Sequence, residues 1–362
     1  MSLIVRTGPQ EYECRTGVLE TLTHRVHQYK KVVLIHGTTS WDSAKPYLKG
    51  LIESDVEYQL SPFNGECTYA EVDRIVALAE ESKADVIIGV GGGKLCDAVK
   101  YAAVKVAGLQ SILVPTLASN CAPWTPLSVM YDEEGICLGF DIHNEQVGML
   151  LIEPALIMNS PVNYFIAGIA DTLAKWYESD VILSQPAHQT NAFLQMARAA
   201  AQQCRDDIVQ HGLQAVSDMR AQTLTPVFTQ IIETIIAISG LVGGLGDSYA
   251  RTTIGHAVHD KITIFPESHA FLHGEKVAYG VMVQLAFEDN WSEIDKLSNV
   301  YDELALPKSL KDLELGQLSE KQIKAFADEI VQDEILVSTG YPVTHESLYQ
   351  SMIALEVYMK ST

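Results

Sequence analysis

The stretch Asp85-Val86-Ile87-Ile88-Gly89-Val90 runs straight into Gly91-Gly92-Gly93-Lys94 and then into a helical pattern through Asp97 and Lys100. A strand apolar on both faces has to be covered on both faces, which requires a parallel sheet with helices above and below it. The surrounding sequence repeats that unit. Lys31-Val32-Val33-Leu34-Ile35 reads as the clearest first strand, after a short strand-like start at Leu3-Ile4-Val5. Amphipathic helices are expected over about Tyr69 to Glu81 and Leu95 to Val106, and a further strand at Ser111 to Val114, ended by Pro115. Leu127 to Tyr131 and Ile136 to Phe140 read as a hairpin across Asp132-Glu133-Glu134-Gly135. After Glu153-Pro154 the pattern changes to long helical windows: Thr190 to Val209, Thr225 to Ser239 and Val277 to Phe287. The expectation is therefore a Rossmann-like α/β domain over residues 1–158 and an all-helical domain over residues 159–362, with a cleft between them.

Charge narrows the function. The chain has 25 Lys and Arg against 46 Asp and Glu, a formal net charge of -21, which opposes nucleic-acid backbones and anionic membranes. The six cysteines are scattered without a CxxC pair, so reduced thiols and a cytoplasmic location are expected. No basic segment followed by an apolar run stands near Met1, so a secretory signal is not expected. The longest apolar stretch, Ile231 to Leu245, is interrupted by Glu233 and a glycine cluster and reads as too short for a membrane span.

Three groups of residues carry chemistry. Gly89-Val90-Gly91-Gly92-Gly93-Lys94 lies between a strand and a helix, where unpaired amides and the helix dipole suit a phosphate. It matches neither the spaced dinucleotide fingerprint nor the Walker pattern, so a tight structural turn is an equal reading. The segment from Pro115 to Ser128 follows a strand end, where open parallel sheets bind ligands, although a rigid polar loop would look the same. Asp171, His256, His259 and His273 supply a carboxylate and imidazoles for a divalent cation, although each histidine alone reads more often as a core or surface residue than as a ligand.

The blocks GVGGGK, PTLASNCAPWTPLSVMY, GIADTLAKWYES, HAVHDKIT and FLHGEKVAYG occur in the order and spacing of the glycerol dehydrogenase branch of the iron-containing alcohol dehydrogenases. CAPWTPLSV and DTLAKWYE resemble its hydroxycarboxylate dehydrogenase members most. The resemblance implies a dehydroquinate synthase-like architecture and hydride transfer between NAD or NADP and a small alcohol or carbonyl substrate. It implies that Asp171, His256 and His273 bind one divalent metal, zinc first and iron or manganese next. It further implies that Gly91, Gly92, Gly93, Lys94, Asp97, Thr116, Ser119, Thr125, Leu127 and Tyr131 surround the nicotinamide cofactor. His259 would reach the active cleft as a proton relay without binding metal. Family members form homo-oligomers, and the same is expected here.

Three departures from the family pattern modify this reading. Cys121 stands where glycerol dehydrogenases carry a substrate-binding aspartate, so a polyol loses its charged acceptor. Gly37 stands where NAD-preferring members hold the adenosine ribose with an acid, so NADPH is admitted and favoured, with Thr38, Thr39 and Ser40 as donors. Lys175, at i+4 from Asp171, replaces a fourth ligand of other branches; it would pair with Asp171 or Glu178, or hold a substrate carboxylate. A 2-hydroxyacid/2-oxoacid pair is the expected substrate, with glycerol as the alternative. A dehydroquinate synthase-like lyase would need several basic residues around its substrate, and a non-catalytic scaffold would have no use for the ligand set.

Overall fold

The computed structural model describes residues 3–250, 252–333, 336 and 342–361. Among these, packing divides the chain into two compact units: Arg6–Phe165 with Gln214–Gly244, and Met1–Val5 with Ile166–Leu213 and Leu245–Thr362.

The first unit is built on a six-stranded sheet formed by β1 (Glu11–Cys14), β2 (Val32–His36), β3 (Tyr58–Pro62), β4 (Val86–Gly91), β5 (Gln110–Pro115) and β8 (Met149–Ile152). Its order is β1-β8-β5-β4-β2-β3, and every pairing is parallel. From β2 the chain steps one way to β3. It then crosses back to β4 and continues the other way to β5, so the order reverses between β2 and β4, the position where open α/β sheets bind ligands at their carboxyl ends. Val33, Leu34, Ile35, Ile87, Ile88, Ile112 and Leu113 are wholly buried, as strands covered on both faces require. The helices Tyr69–Ser82 and Gly93–Lys105 and the hairpin β6 (Leu127–Tyr131) with β7 (Cys137–Ile142) form where their patterns place them.

Three strands escape the pattern reading. β1 and β3 are edge strands with mixed exposure, and β8 spans only four residues, so none shows a buried run long enough to stand out. Leu3-Ile4-Val5 is not a strand; the Ile4 amide donates instead to Asp247 Oδ2, 3.2 Å away in the helical unit.

Relative to a single cut at 158/159, the return segment Gln214–Gly244 packs with the sheet unit. Tyr12 donates to Glu233 Oε1 at 3.0 Å, Arg6 N donates to the Gly244 carbonyl at 2.8 Å, and Phe165 meets Phe228 at 5.1 Å between ring centroids. Gly240 faces Trp124 so closely that a Cβ would lie 2.5 Å from Cδ1 of the indole. The apolar stretch is longer than its sequence suggests. Pro226–Tyr249 is one helical run, long and apolar enough to cross a membrane by length and composition, with a π-helical turn at Thr234–Ile238. Ile231, Ile232, Ile235 and Ile236 are fully buried within the protein, as in a core helix.

The second unit is helical. Helices Val162–Leu183, Ala192–Arg220, Ile254–Ile262 and His273–Phe287 contribute most of what concerns the site. Two glycines allow close approach of its backbones. A Cβ at Gly274 would fall 1.8 Å from the Ala167 carbonyl oxygen, and one at Gly280 would fall 2.1 Å from that of Gly255.

Candidate functional site

In the α/β unit the two sequence motifs meet. β2 and β4 are paired with His36 opposite Val90, which sets Gly37 beside the glycine turn at their carboxyl ends. Gly92 is the N-cap of the Gly93–Lys105 helix and provides no side chain to cap it, so the helix start has the amides and the dipole that suit an anion. The Pro115–Ser128 segment folds over this turn: Thr116 N donates to Gly91 O at 3.0 Å, and a Cβ on Gly93 would sit 3.0 Å from the Asn120 amide group.

Several predicted residues are tied into the protein itself. Lys94 Nζ lies 2.5 Å from Glu66 Oε2 and 4.5 Å from the centre of the Tyr131 ring. Asp97 is buried, with Lys100 Nζ at 2.7 Å and a hydrogen bond accepted from Val129 N. Burial raises the Asp97 pKa and Lys100 opposes that rise. Lys100 is the residue sequence reasoning missed. It donates to the carbonyls of Ala122, Thr125 and Leu127 and so fastens the loop that carries Ser119, Cys121 and Thr125. A lysine one turn beyond Asp97 on an otherwise apolar helix face was the available signal. Cys121 uses its carbonyl to accept from Trp124 N and Thr125 N, closing the loop locally. Ser40 is not an open donor, because its hydroxyl bonds to Val90 O at 2.9 Å and Gly37 O at 3.0 Å, whereas Thr38 and Thr39 are exposed.

In the helical unit Asp171, His256 and His273 converge, with one ligand atom from each within 4.8 Å of the others. His256 Nε2 is 3.3 Å and His273 Nε2 is 3.4 Å from Asp171 Oδ1, and Lys175 Nζ is 3.6 Å from the same oxygen. That oxygen is buried, and among the described residues no hydrogen bond of good geometry reaches it. The far sides of both imidazoles are occupied. His256 Nδ1 meets Glu178 Oε2 at 2.5 Å; His273 Nδ1 meets His259 Nε2 at 2.9 Å, and His259 Nδ1 meets Asp260 Oδ1 at 2.8 Å. Carboxylates only accept, so Glu178 and Asp260 draw the protons outward, leaving both Nε2 lone pairs aimed at Asp171 Oδ1 when the rings are neutral. Three acceptors pointing at one another in a buried place fit a divalent cation. The His273 side chain is 34% exposed against 2% for Asp171, so the set opens toward solvent on the His273 side.

Ionisation follows the same logic. Burial alone would raise Asp171, but Lys175 and the two imidazoles hold it well below the usual carboxylate range. Burial also opposes charge on His256, yet Glu178 and Asp171 bring it up to about 9 without a metal. His259 is pushed down to about 3 by burial and by His273, so it stays neutral.

The profile of the family described as iron-containing alcohol dehydrogenase matches residues 9–147. Hydroxycarboxylate dehydrogenase A of Escherichia coli (strain K12) is 38% identical over 293 residues, 81% of this chain and 77% of that one. The chain belongs to the iron-containing alcohol dehydrogenase family. It is thus an oxidoreductase, as its motifs lead one to expect. A glycerol dehydrogenase of Pseudomonas putida is 31% identical, covering 86% of this chain and 88% of that one. The solved structure of a probable glycerol dehydrogenase from Sinorhizobium meliloti 1021 superposes with a TM-score of 0.87 at 25% identity, over 99% of this chain and all of that one. The two-domain fold expected from the sequence is the fold of this family.

Proposed function

We propose that this family member interconverts small 2-hydroxyacids and 2-oxoacids with a nicotinamide cofactor, NADPH at least as well as NADH, and one divalent metal, zinc first. The observation that carries the substrate class is Lys175, a largely buried ammonium 3.6 Å from Asp171 Oδ1 within the metal-ligand set. Such a group could neutralise a substrate carboxylate beside a divalent ion that Asp171, His256 and His273 would hold and that would supply Lewis acidity. The 38% identical relative, named a hydroxycarboxylate dehydrogenase, supports the same choice. Glycerol remains the second reading because several relatives are named glycerol dehydrogenases.

In this proposal Asp171, His256 and His273 hold the metal, and the first turn after Gly91, Gly92 and Gly93 receives the cofactor pyrophosphate. Thr116, Ser119, Thr125, Leu127 and Tyr131 line the nicotinamide position, with Lys94 beside them and Asp97 positioning the loop through Lys100. A bound divalent ion supplies Lewis acidity at the substrate oxygen, and the nicotinamide supplies or takes the hydride. Cys121 faces substrate in place of a charged acceptor. His259 orients His273: its Nε2 accepts from His273 Nδ1 while its Nδ1 donates to the partly exposed Asp260, and its low basicity keeps the ring from resting charged. Location in the cytoplasm and homo-oligomeric assembly complete the reading.

A screen of purified enzyme with glycerol, simple alcohols, aldehydes and 2-oxoacids, each with NADH and NADPH, tests it. Preference for 2-oxoacids over glycerol and aldehydes is expected. A higher kcat/KM for glycerol would replace the substrate class.

A further inference from the structure

Glu178 lies about two turns beyond Asp171 on the Val162–Leu183 helix and is 1% exposed. Its carboxylate is fully engaged. Oε1 accepts from Thr253 N and from His256 N, both at 2.8 Å, and Oε2 meets His256 Nδ1 at 2.5 Å. Thr253 is the N-cap of the Ile254–Ile262 helix, yet its own hydroxyl turns away to Gln284 Oε1 and caps nothing. Glu178 supplies the missing cap from another helix, and a buried negative charge at a helix N-terminus is favourable. Gly255 makes room for it, since a Cβ there would fall 3.0 Å from Glu178 Cδ.

From this arrangement we infer that Glu178 is a positioning residue whose carboxylate selects the His256 tautomer, and with it whether the metal site exists. The inference rests on the metal reading proposed above. An ionised carboxylate can only accept, so Nδ1 has to carry hydrogen and a neutral His256 presents a bare Nε2 toward Asp171. A glutamine of the same shape reverses this. Its carbonyl oxygen would stay on the two backbone amides, which leaves its NH2 group facing Nδ1. Nδ1 then has to accept, the ring hydrogen moves to Nε2, and the ligand atom is blocked while the helix cap survives.

A carboxylate that only supports the helix and one that selects the tautomer predict opposite orders for two variants. If Glu178 acts as a cap alone, Glu178→Gln is nearly silent and Glu178→Ala is the damaging change. If it selects the tautomer, Glu178→Gln loses more metal affinity than Glu178→Ala, in which Nδ1 can keep its hydrogen on water.

The experiment uses the full chain stripped of metal, titrated with zinc against a chromophoric chelator, together with the thermal midpoint of each metal-free protein. Glu178→Gln is expected to weaken zinc binding by about ten- to a hundred-fold or more, to keep a midpoint close to wild type, and to bind zinc less tightly than Glu178→Ala. A zinc affinity for Glu178→Gln within twofold of wild type, or weaker binding by Glu178→Ala than by Glu178→Gln, overturns the inference and leaves the metal site standing. A wild type that takes up no zinc overturns both. Spectra of 15N-histidine in zinc-loaded wild type give a reading independent of the variants: His256 should show a protonated Nδ1 and a metal-bound Nε2, and the reverse pattern refutes tautomer selection.

Discussion

Lys175 Nζ stands 3.6 Å from Asp171 Oδ1, one turn along the same helix, so the ammonium shares its face with the carboxylate of the ligand set. With a substrate carboxylate as its alternative partner, this lysine should discriminate substrates by charge. One ion pair in a partly dry site is worth roughly 1.5 to 3 kcal/mol, or about ten- to a hundred-fold in specificity. Lys175→Met is expected to raise KM for a 2-oxoacid by that factor and to spare an uncharged aldehyde of similar size. Steady-state kinetics on both substrates decide it; equal losses would reduce Lys175 to a partner of Asp171.

Asp171→Ala and His256→Ala each remove one of three proposed ligands. Turnover should vanish and bound metal should fall in elemental analysis, with the circular dichroism of the helical unit retained. Full activity with undiminished metal would end the assignment of these ligands.

His256 ties metal uptake to pH. Its folded value of about 9 without metal lies above the ordinary 6.5, so zinc has to displace a proton below that pH. Zinc affinity should fall about tenfold per pH unit, roughly a hundred-fold from pH 9 to pH 7. Because the folded value is raised, its contribution to the stability of the metal-free protein is complete below 6.5 and is lost as pH rises through about 9. Calorimetry of the metal-free protein should show that loss over this window; a flat profile would contradict it.

Gly37 leaves the adenosine end without a carboxylate. A Cβ there would lie 3.0 Å from Ser40 Oγ, so Gly37→Asp needs Ser40→Ala beside it for room. The double variant should move the kcat/KM ratio toward NADH. A wild type that already rejects NADPH would show that selectivity is set elsewhere.

Lys100 holds three loop carbonyls and Asp97 in a buried place. Lys100→Met leaves Asp97 buried and unpaired, which costs about 3 to 5 kcal/mol in comparable cases. Denaturant unfolding should register that loss, along with weakened binding of the nicotinamide cofactor. A change below about 1 kcal/mol would mean that the loop is held by other contacts.

Local pattern was enough for β2, β4 and β5. The fully buried β4, the glycine turn after it and the helix Gly93–Lys105 are written in consecutive residues, because strand and helix periodicities act over a few positions and leave their imprint there. Edge strands β1 and β3 carry no such imprint, since exposure on one side removes the apolar run that marks a central strand, and β8, though buried, is too short at four residues to show a period.

The sequence by itself determined which chemistry was available: glycines at a strand end, a carboxylate on one helix, imidazoles on two others, and a lysine one turn from the carboxylate. Only the tertiary structure decided how these residues are used. Asp171 meets His256 and His273 because Gly274 and Gly280 let helix backbones approach closely, a contact between segments far apart in the chain. Ser40 spends its hydroxyl on Val90, Lys100 takes up the carbonyls of a distant loop, and Glu178 reaches His256 from another helix. The physical reason is one of range. Periodicity and turn propensity act between neighbours in the chain, whereas hydrogen-bond partners and imidazole tautomers are settled by which groups packing brings within about 3 Å.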